Sequence, residues 1–357
     1  MKRITLRAQS ALYEILIAPG LFRETDLWLP AGDEKMAGVI SDTTVASLYA
    51  DLLLEALAKA GWKPILFTVE PGESAKSLAV AGRLYGELVE AGLTRKDLIL
   101  ALGGGVVGDL AGFVAATLYR GISFFQIPTT LLAQVDSSVG GKVAINLPQG
   151  KNLVGAFYQP SLVVIDPELL RTLPPDIFRA GMAEVIKYGA ICDENLFQSI
   201  VEMTPGSSES EELVDVIIRC VELKKNLVEQ DPLDGGVRML LNFGHTIGHV
   251  YEQIGNYQTY SHGQAVAAGM AAISRIGVQQ GLTDSRASDQ LIELIQQWGL
   301  PDYIAAEPAA LAEGLRHDKK TQGTLLSTVF MRQLGNAEIV PLKISCFLEW
   351  ITAQEVR

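Results

Sequence analysis

Three of the four histidines in this 357-residue chain, His245, His249 and His262, fall within one short stretch. Arg238, Asn242, His245, His249 and Glu252 follow one another at intervals of four, three, four and three residues. On an α-helix that spacing stacks five polar side chains on one face. Read singly, each histidine is a hydrogen-bonded structural residue. Read together, in a row flanked by Met239-Leu240-Leu241 and Ile247, they form the wall of a site. Imidazole suits a divalent transition metal, and a catalytic site of that kind takes three protein ligands and leaves a position open. His245 with a second histidine and a carboxylate from elsewhere would supply them. On spacing alone, His249 and His262 are equally eligible as the second histidine. The His-Glu-x-x-His pattern of zinc proteases is absent.

Three further runs carry chemistry. Gly103-Gly104-Gly105-Val106-Val107-Gly108-Asp109 follows the apolar run Leu98–Leu102 and precedes the helical stretch Leu110–Ala116. Glycines between a strand and a helix let a pyrophosphate approach the helix N-terminus. The acidic residue that dinucleotide folds place about 20 residues further on is missing, because Phe124-Phe125-Gln126-Ile127 stands there. An unconventional dinucleotide site is therefore expected. Glu184 and Lys187 lie one helical turn apart among apolar and small residues, where the plain reading is a surface ion pair. Pro128 through Lys142, leading to Asn146 and Gly150-Lys151-Asn152, combines hydroxyls, glycines and lysines, which is phosphate-binding chemistry.

The elements that must position these groups change character along the chain. Alternation in Ile4–Arg7 and Tyr13–Ile17 predicts an opening hairpin. Apolar runs at Gly38–Ser41, Pro64–Val69, Leu98–Leu102, Phe124–Ile127 and Leu162–Ile165 alternate with helical stretches such as Val45–Ala60 and Ser77–Ala91. This is the pattern of a mostly parallel sheet with helices on both faces. Beyond Leu173-Pro174-Pro175 the chain reads as almost wholly helical, with helices at Asp176–Ile191, Glu211–Glu229, Val237–Gln253 and Gly263–Gln280. The expected fold class is α/β + all-α, with a Rossmann-like dinucleotide-binding domain over 1–175 and an α-helical metal and substrate domain over 176–357.

Composition removes other classes. A net charge of −12 argues against nucleic-acid binding, though a local cluster of lysines and arginines can still hold a small anion. No apolar run is long enough to span a bilayer. The three cysteines are widely spaced, which suits reduced thiols and a cytoplasmic location.

Six runs, GGGVVGDLAGFVAATLYRG, IPTTLLAQVDSSVGGKVAIN, GKNLVGAFYQP, AGMAEVIKYG, LNFGHTIGH and HGQAVAAGM, resemble the 3-dehydroquinate synthase family in type and order. The resemblance implies Glu184, His245 and His262 as ligands of a zinc or cobalt ion. It implies NAD contacts from Asp42, Glu73, Lys76, Gly104, Gly105, Val106, Asp109, Thr129, Thr130, Asp136, Lys142, Lys151, Thr172 and Leu173. Substrate contacts fall to Arg120, Lys142, Asn152, Lys187, Lys224, Arg238, Asn242 and His249, with Lys319 or Lys320. His249 thereby becomes a substrate partner and not a ligand.

The reaction implied turns a small phosphorylated heptulosonate, 3-deoxy-D-arabino-heptulosonate 7-phosphate, into 3-dehydroquinate and phosphate. It proceeds by transient oxidation with NAD, phosphate elimination, reduction and an intramolecular aldol closure. A homodimer is implied by the family alone. One departure stands out: Asp231-Pro232-Leu233-Asp234 replaces a pattern with Glu at the second and fourth positions in many relatives, which leaves the role of Asp234 open. Sister cyclases acting on sedoheptulose 7-phosphate or forming 2-deoxy-scyllo-inosose share the metal and NAD residues. A metal-dependent polyol dehydrogenase would share the fold but release NADH steadily. A binding protein on the same scaffold leaves the ligand set unexplained.

Overall fold

Contiguous apolar runs become strands and capped amphipathic runs become helices. In chain order these are β1 (Lys2–Ala8), β2 (Ala11–Ile17), β3 (Met36–Asp42), α1 (Thr43–Lys59), β4 (Lys63–Val69), α2 (Leu78–Glu90), β5 (Leu98–Gly103), α3 (Gly105–Thr117), β6 (Ser123–Pro128), β7 (Lys142–Leu147), β8 (Gly150–Phe157), β9 (Leu162–Ile165), α4 (Pro175–Cys192), α5 (Glu194–Glu202), α6 (Glu211–Gln230), α7 (His245–Ile254), α8 (His262–Gln279), α9 (Ser285–Gln297), α10 (Pro308–Arg316), β10 (Thr321–Gln322), β11 (Leu325–Gln333), β12 (Asn336–Lys343) and α11 (Ile344–Thr352). The computed structural model describes residues 1–8, 11–33, 35–206, 210–316, 321–322 and 325–352. It divides into one unit of Met1–Leu173 with Ser208–Leu233 and another of Pro174–Ser207 with Asp234–Arg357.

The first unit holds a seven-stranded sheet in the order β1-β2-β9-β6-β5-β3-β4. The β1–β2 hairpin is antiparallel and every other neighbouring pair is parallel. Successive residues of β5 alternate between the two faces. Ile99 and Ala101 join a core with α2 and α3, while Leu98, Leu100 and Leu102 join a second core with α1. That is why the strand reads as an unbroken apolar run. The crossovers run to opposite sides at β3 and β5, so the carboxyl ends of these two strands flank the switch point where open α/β sheets bind ligands. Asp42 ends β3 and the glycine turn ends β5.

In the second unit α4 is buried nearly all round and packs against α5, α8, α9 and two strands. A helix apolar on every side belongs in a core.

The helical character expected beyond residue 175 is found, and β10, β11 and β12 add an antiparallel sheet to it. Three expectations need correction. Residues 208–233 leave the expected second domain: α6 lays its apolar face on β1 and on the π-helical turn Ala133–Ser137 of the first unit. The helix α3 begins at Gly105, five residues before the expected Leu110, because the glycines open the helix instead of preceding it. The expected helix Val237–Gln253 is broken into a 3₁₀ helix, Val237–Asn242, and α7. The break falls at Gly244, whose φ of 77° suits glycine alone and whose added Cβ would lie 2.4 Å from Met270 Cγ. The five-residue polar face is therefore divided between two helices.

Candidate metal centre and nucleotide cradle

In the second unit Glu184 comes from the middle of α4, His245 from the first residue of α7 and His262 from the first residue of α8. Small residues let these helices approach. A Cβ on Gly263 would stand 1.9 Å from the Ala180 carbonyl oxygen of α4, and one on Gly248 would stand 3.0 Å from the Ala265 carbonyl oxygen of α8. Ser261 caps α8 through a reciprocal pair with Gln264, which fixes where His262 begins.

One ligand atom from each of Glu184, His245 and His262 lies within 4.8 Å of the other two. The Nε2 atoms of both histidines stand 3.5 Å from Glu184 Oε1. His245 Nδ1 lies 3.1 Å from the Phe243 carbonyl, which can only accept, so Nδ1 carries the proton and Nε2 turns a lone pair toward the carboxylate. Acceptors converging on one point fit a cation, which is the donor set of a three-ligand divalent site. Burial by itself lowers the His262 imidazole, but the carboxylates of Glu184 and Glu252 reverse this and raise it from 6.5 to about 10. The potential that holds a proton there would hold a divalent cation.

The other second-unit residues take varied positions. Lys187 pairs with Glu184, and both side chains are only 1% exposed, so the surface ion pair expected for them is instead a core pair. His249 meets the His245 ring edge to face, with centroids 5.5 Å apart, and lies outside the three-residue donor group. Arg238 is buried in the 3₁₀ helix and Asn242 ends it. Lys319 and Lys320 lie outside the described residues.

In the first unit three of the expected cofactor residues, Glu73, Asp109 and Lys151, gather with Lys76. Its Nζ donates to Asp109 Oδ2 and to Asn152 Oδ1, each at 2.6 Å. Asn146 joins the groups by donating from Nδ2 to Glu73 Oε2 at 2.9 Å and accepting at Oδ1 from the Asn152 amide at 2.9 Å. Lys151 reaches Glu73 Oε1 at 3.4 Å. Asn146 was visible in the sequence only as the end of a polar run, and its linking role needs the β7–β8 hairpin that brings it back to residue 152. Burial raises the Asp109 carboxyl above its ordinary range, with Lys76 working against that shift.

Beside this network, Gly104 caps α3 with no side chain, and a Cβ there would stand 2.9 Å from Thr130 Cγ2. Thr129 Oγ1 is buried and has no hydrogen-bond partner among the described residues. The turn thus offers the open amides of a helix start beside an unsatisfied hydroxyl, which fits an anionic group such as a pyrophosphate.

Other first-unit residues are engaged locally. Lys224 Nζ donates to Asp136 Oδ1 at 2.8 Å and to its carbonyl at 2.7 Å. Asp42 Oδ1 caps α1, accepting from Thr44 and Val45 amides at 2.9 Å. Thr172 Oγ1 meets Tyr49 Oη at 2.6 Å, and the Leu173 amide donates to the Leu170 carbonyl. Lys142 opens β7 with its side chain exposed. Arg120 is exposed in a left-handed turn after α3, with φ of 65°. Among the described residues no hydrogen bond joins Asp42, Arg120 or Thr172 to the Lys76 network.

A doubly covered α/β unit with a glycine cradle, joined in one chain to a helical unit with a carboxylate and two histidines, defines a class of metal-site α/β–helical proteins. Residues 66–180 match the 3-dehydroquinate synthase N-terminal family and residues 181–321 its C-terminal counterpart. The chain is 42% identical over 349 residues to the 3-dehydroquinate synthase of Clostridium beijerinckii, covering 97% of this chain and 100% of that one. It is 44% identical to that of Streptococcus sanguinis, covering 93% and 95%. The chain belongs to the 3-dehydroquinate synthase family.

Solved structures share the fold. A 2-deoxy-scyllo-inosose synthase complexed with carbaglucose-6-phosphate, NAD+ and Co2+ superposes with a TM-score of 0.89 at 24% identity, covering 98% of this chain and 99% of that one. A 2-epi-5-epi-valiolone synthase from Streptomyces hygroscopicus with NAD+ and Zn2+ bound gives 0.87 at 24% identity, covering 99% and 100%.

Proposed function

We propose that this protein is a 3-dehydroquinate synthase, a phosphate-eliminating cyclase that converts 3-deoxy-D-arabino-heptulosonate 7-phosphate to 3-dehydroquinate and phosphate. The observation that carries the reading is the convergence of Glu184, His245 and His262 in a chain of this family. These three residues would hold zinc or cobalt, and the turn from Gly104 to Asp109 with Thr129 and Thr130 would hold NAD. Cofactors of both kinds occur in the two cyclase structures of the same fold.

When bound, NAD supplies a reversible hydride acceptor and the metal supplies Lewis acidity toward substrate oxygens. The chain's own residues bind and orient. The amides at the start of α3 would bind the cofactor's phosphates. Lys187, buried beside Glu184, places an ammonium next to the metal ligands. Arg238, Asn242 and His249 offer hydrogen bonds to hydroxyl and carboxylate groups of the substrate. On the first unit Arg120, Lys142, Asn152 and Lys224 are the groups suited to phosphate or carboxylate. The oligomer proposed is a homodimer and the location proposed is the cytoplasm. Among the described residues no helix is long and apolar enough to cross a membrane.

The test incubates purified protein with the heptulosonate phosphate, NAD and Zn2+, following phosphate release and dehydroquinate formation. Phosphate and dehydroquinate without net NADH are expected. Turnover of sedoheptulose 7-phosphate in place of the heptulosonate would replace the reading with a sister cyclase, and steady NADH production from a polyol would replace it with a dehydrogenase.

A further inference from the structure

The two histidines that face Glu184 are each held from behind, and by a different kind of group. His245 leans its Nδ1 on a backbone carbonyl. His262 Nδ1 instead faces Glu252 Oε2 at 3.4 Å, while its Nε2 faces Glu184. Glu252 lies two turns beyond His245 on α7, and its side chain is only 3% exposed. A carboxylate that deep costs folding free energy unless something cationic answers it. The family resemblance gave it no role, and it stands outside the three-residue donor group.

We propose that Glu252 is a positioning residue of the metal site, fixing the ring and tautomer of His262 so that Nε2 is presented to the metal. An imidazole ligand whose second nitrogen donates to a carboxylate is more basic and keeps one orientation. The arrangement also makes the two histidines unequal: the His245 ring is anchored by main chain that no substitution removes, and the His262 ring by a side chain that one substitution can. Through its contact with His262, Glu252 further adds negative charge beside the positive N-terminal end of α8, where a cation is otherwise disfavoured.

The inference rests on Glu184, His245 and His262 holding a divalent metal, so the experiment separates the two claims. Metal-stripped full-length wild type, E252Q and E252D are titrated with Zn2+ against a chromophoric chelator, and their Co2+ absorption spectra are recorded. E252Q keeps the shape and removes the charge; E252D keeps the charge and draws it back by one methylene. Both are expected to raise the Zn2+ Kd by about 10–100-fold. Both should also change the Co2+ ligand-field bands while the metal-free melting temperature stays near that of wild type. Should E252Q fail to fold, E252D decides alone. Kd values within about twofold of wild type would overturn the positioning role and leave the metal site standing. Absence of stoichiometric metal in the wild type would remove the metal site and this inference with it.

Discussion

Around Lys76 in the first unit, donors meet acceptors: one ammonium reaches two oxygens at 2.6 Å, and Asn146 donates and accepts within the same group. Around Glu184 in the second unit, two imidazole nitrogens from different helices each stand 3.5 Å from one carboxylate oxygen. Lys76 and Glu184, the charged groups at the centre of each, are both buried, so both had to be compensated to fold. The first compensates itself and is already a finished wall against which a ligand can be placed. The second relies on Lys187, on a proton held by His262, or on a cation. The difference separates a surface that positions from a site that binds a charge.

Removing a ligand should break the second region most completely. His262→Ala is expected to abolish metal retention, read as metal content after gel filtration, with the fold intact by circular dichroism. Glu184→Ala should do the same but at a larger cost in stability, because it also leaves Lys187 in the core without its carboxylate. Unchanged metal content in either variant would end the ligand assignment.

The first region breaks differently, through stability. Lys76→Met leaves Asp109 largely buried without its ammonium and should cost about 3–5 kcal/mol in denaturant unfolding. The sign of its pH dependence follows from the raised Asp109 carboxyl. A carboxyl raised in the folded state stabilises below its unfolded pKa, and that contribution is lost as pH rises through the folded value. The deficit of the variant relative to wild type should therefore be small in acid and grow as the pH rises past the ordinary carboxylate range. A deficit independent of pH would mean that Lys76 acts by packing.

Gly263→Ala tests whether the second region depends on helix approach as well as on ligand identity. Its Cβ would press on the Ala180 carbonyl oxygen, 1.9 Å away, so α8 must retreat from α4. Overpacking of this kind costs about 1–3 kcal/mol. Since His262 directly precedes Gly263, the variant should also bind Zn2+ more weakly with all three ligands present. Wild-type affinity would show that the helices accommodate the methyl group without moving the site.

The contrast also explains what the sequence could and could not disclose. Strands β3, β5 and β6 were legible because burial on both faces leaves an apolar run that needs no partner to be recognised. The strands β10 to β12 and the β7–β8 hairpin were not, since their character depends on pairing between short mixed segments. The amphipathic pattern of α6 gave a helix but could not say that its apolar face belongs to β1. Periodicity from 238 to 252 gave a polar face yet ran through Gly244, where a positive φ breaks the helix and any Cβ would meet Met270, a residue 26 positions away. The three proposed ligands are on three helices, so spacing could suggest His245 but not choose its companions. That choice came from the family motifs, and the distances fit it.

Asp42 offers the smallest effect and the sharpest question, because it belongs to the self-completed unit yet is expected to touch the cofactor. Its Oδ1 already accepts from two amides at the start of α1. Asp42→Ala removes the cap and should cost about 1 kcal/mol. Asp42→Asn keeps an acceptor at the same place, and asparagine caps as well as aspartate, so its stability should stay within a few tenths of a kcal/mol of wild type. If the carboxylate serves only the helix, NAD titration of Asp42→Asn followed by fluorescence will match wild type. If Oδ2 is used by the cofactor, NAD affinity will fall in Asp42→Asn with no loss of stability, a separation that Asp42→Ala alone could not provide.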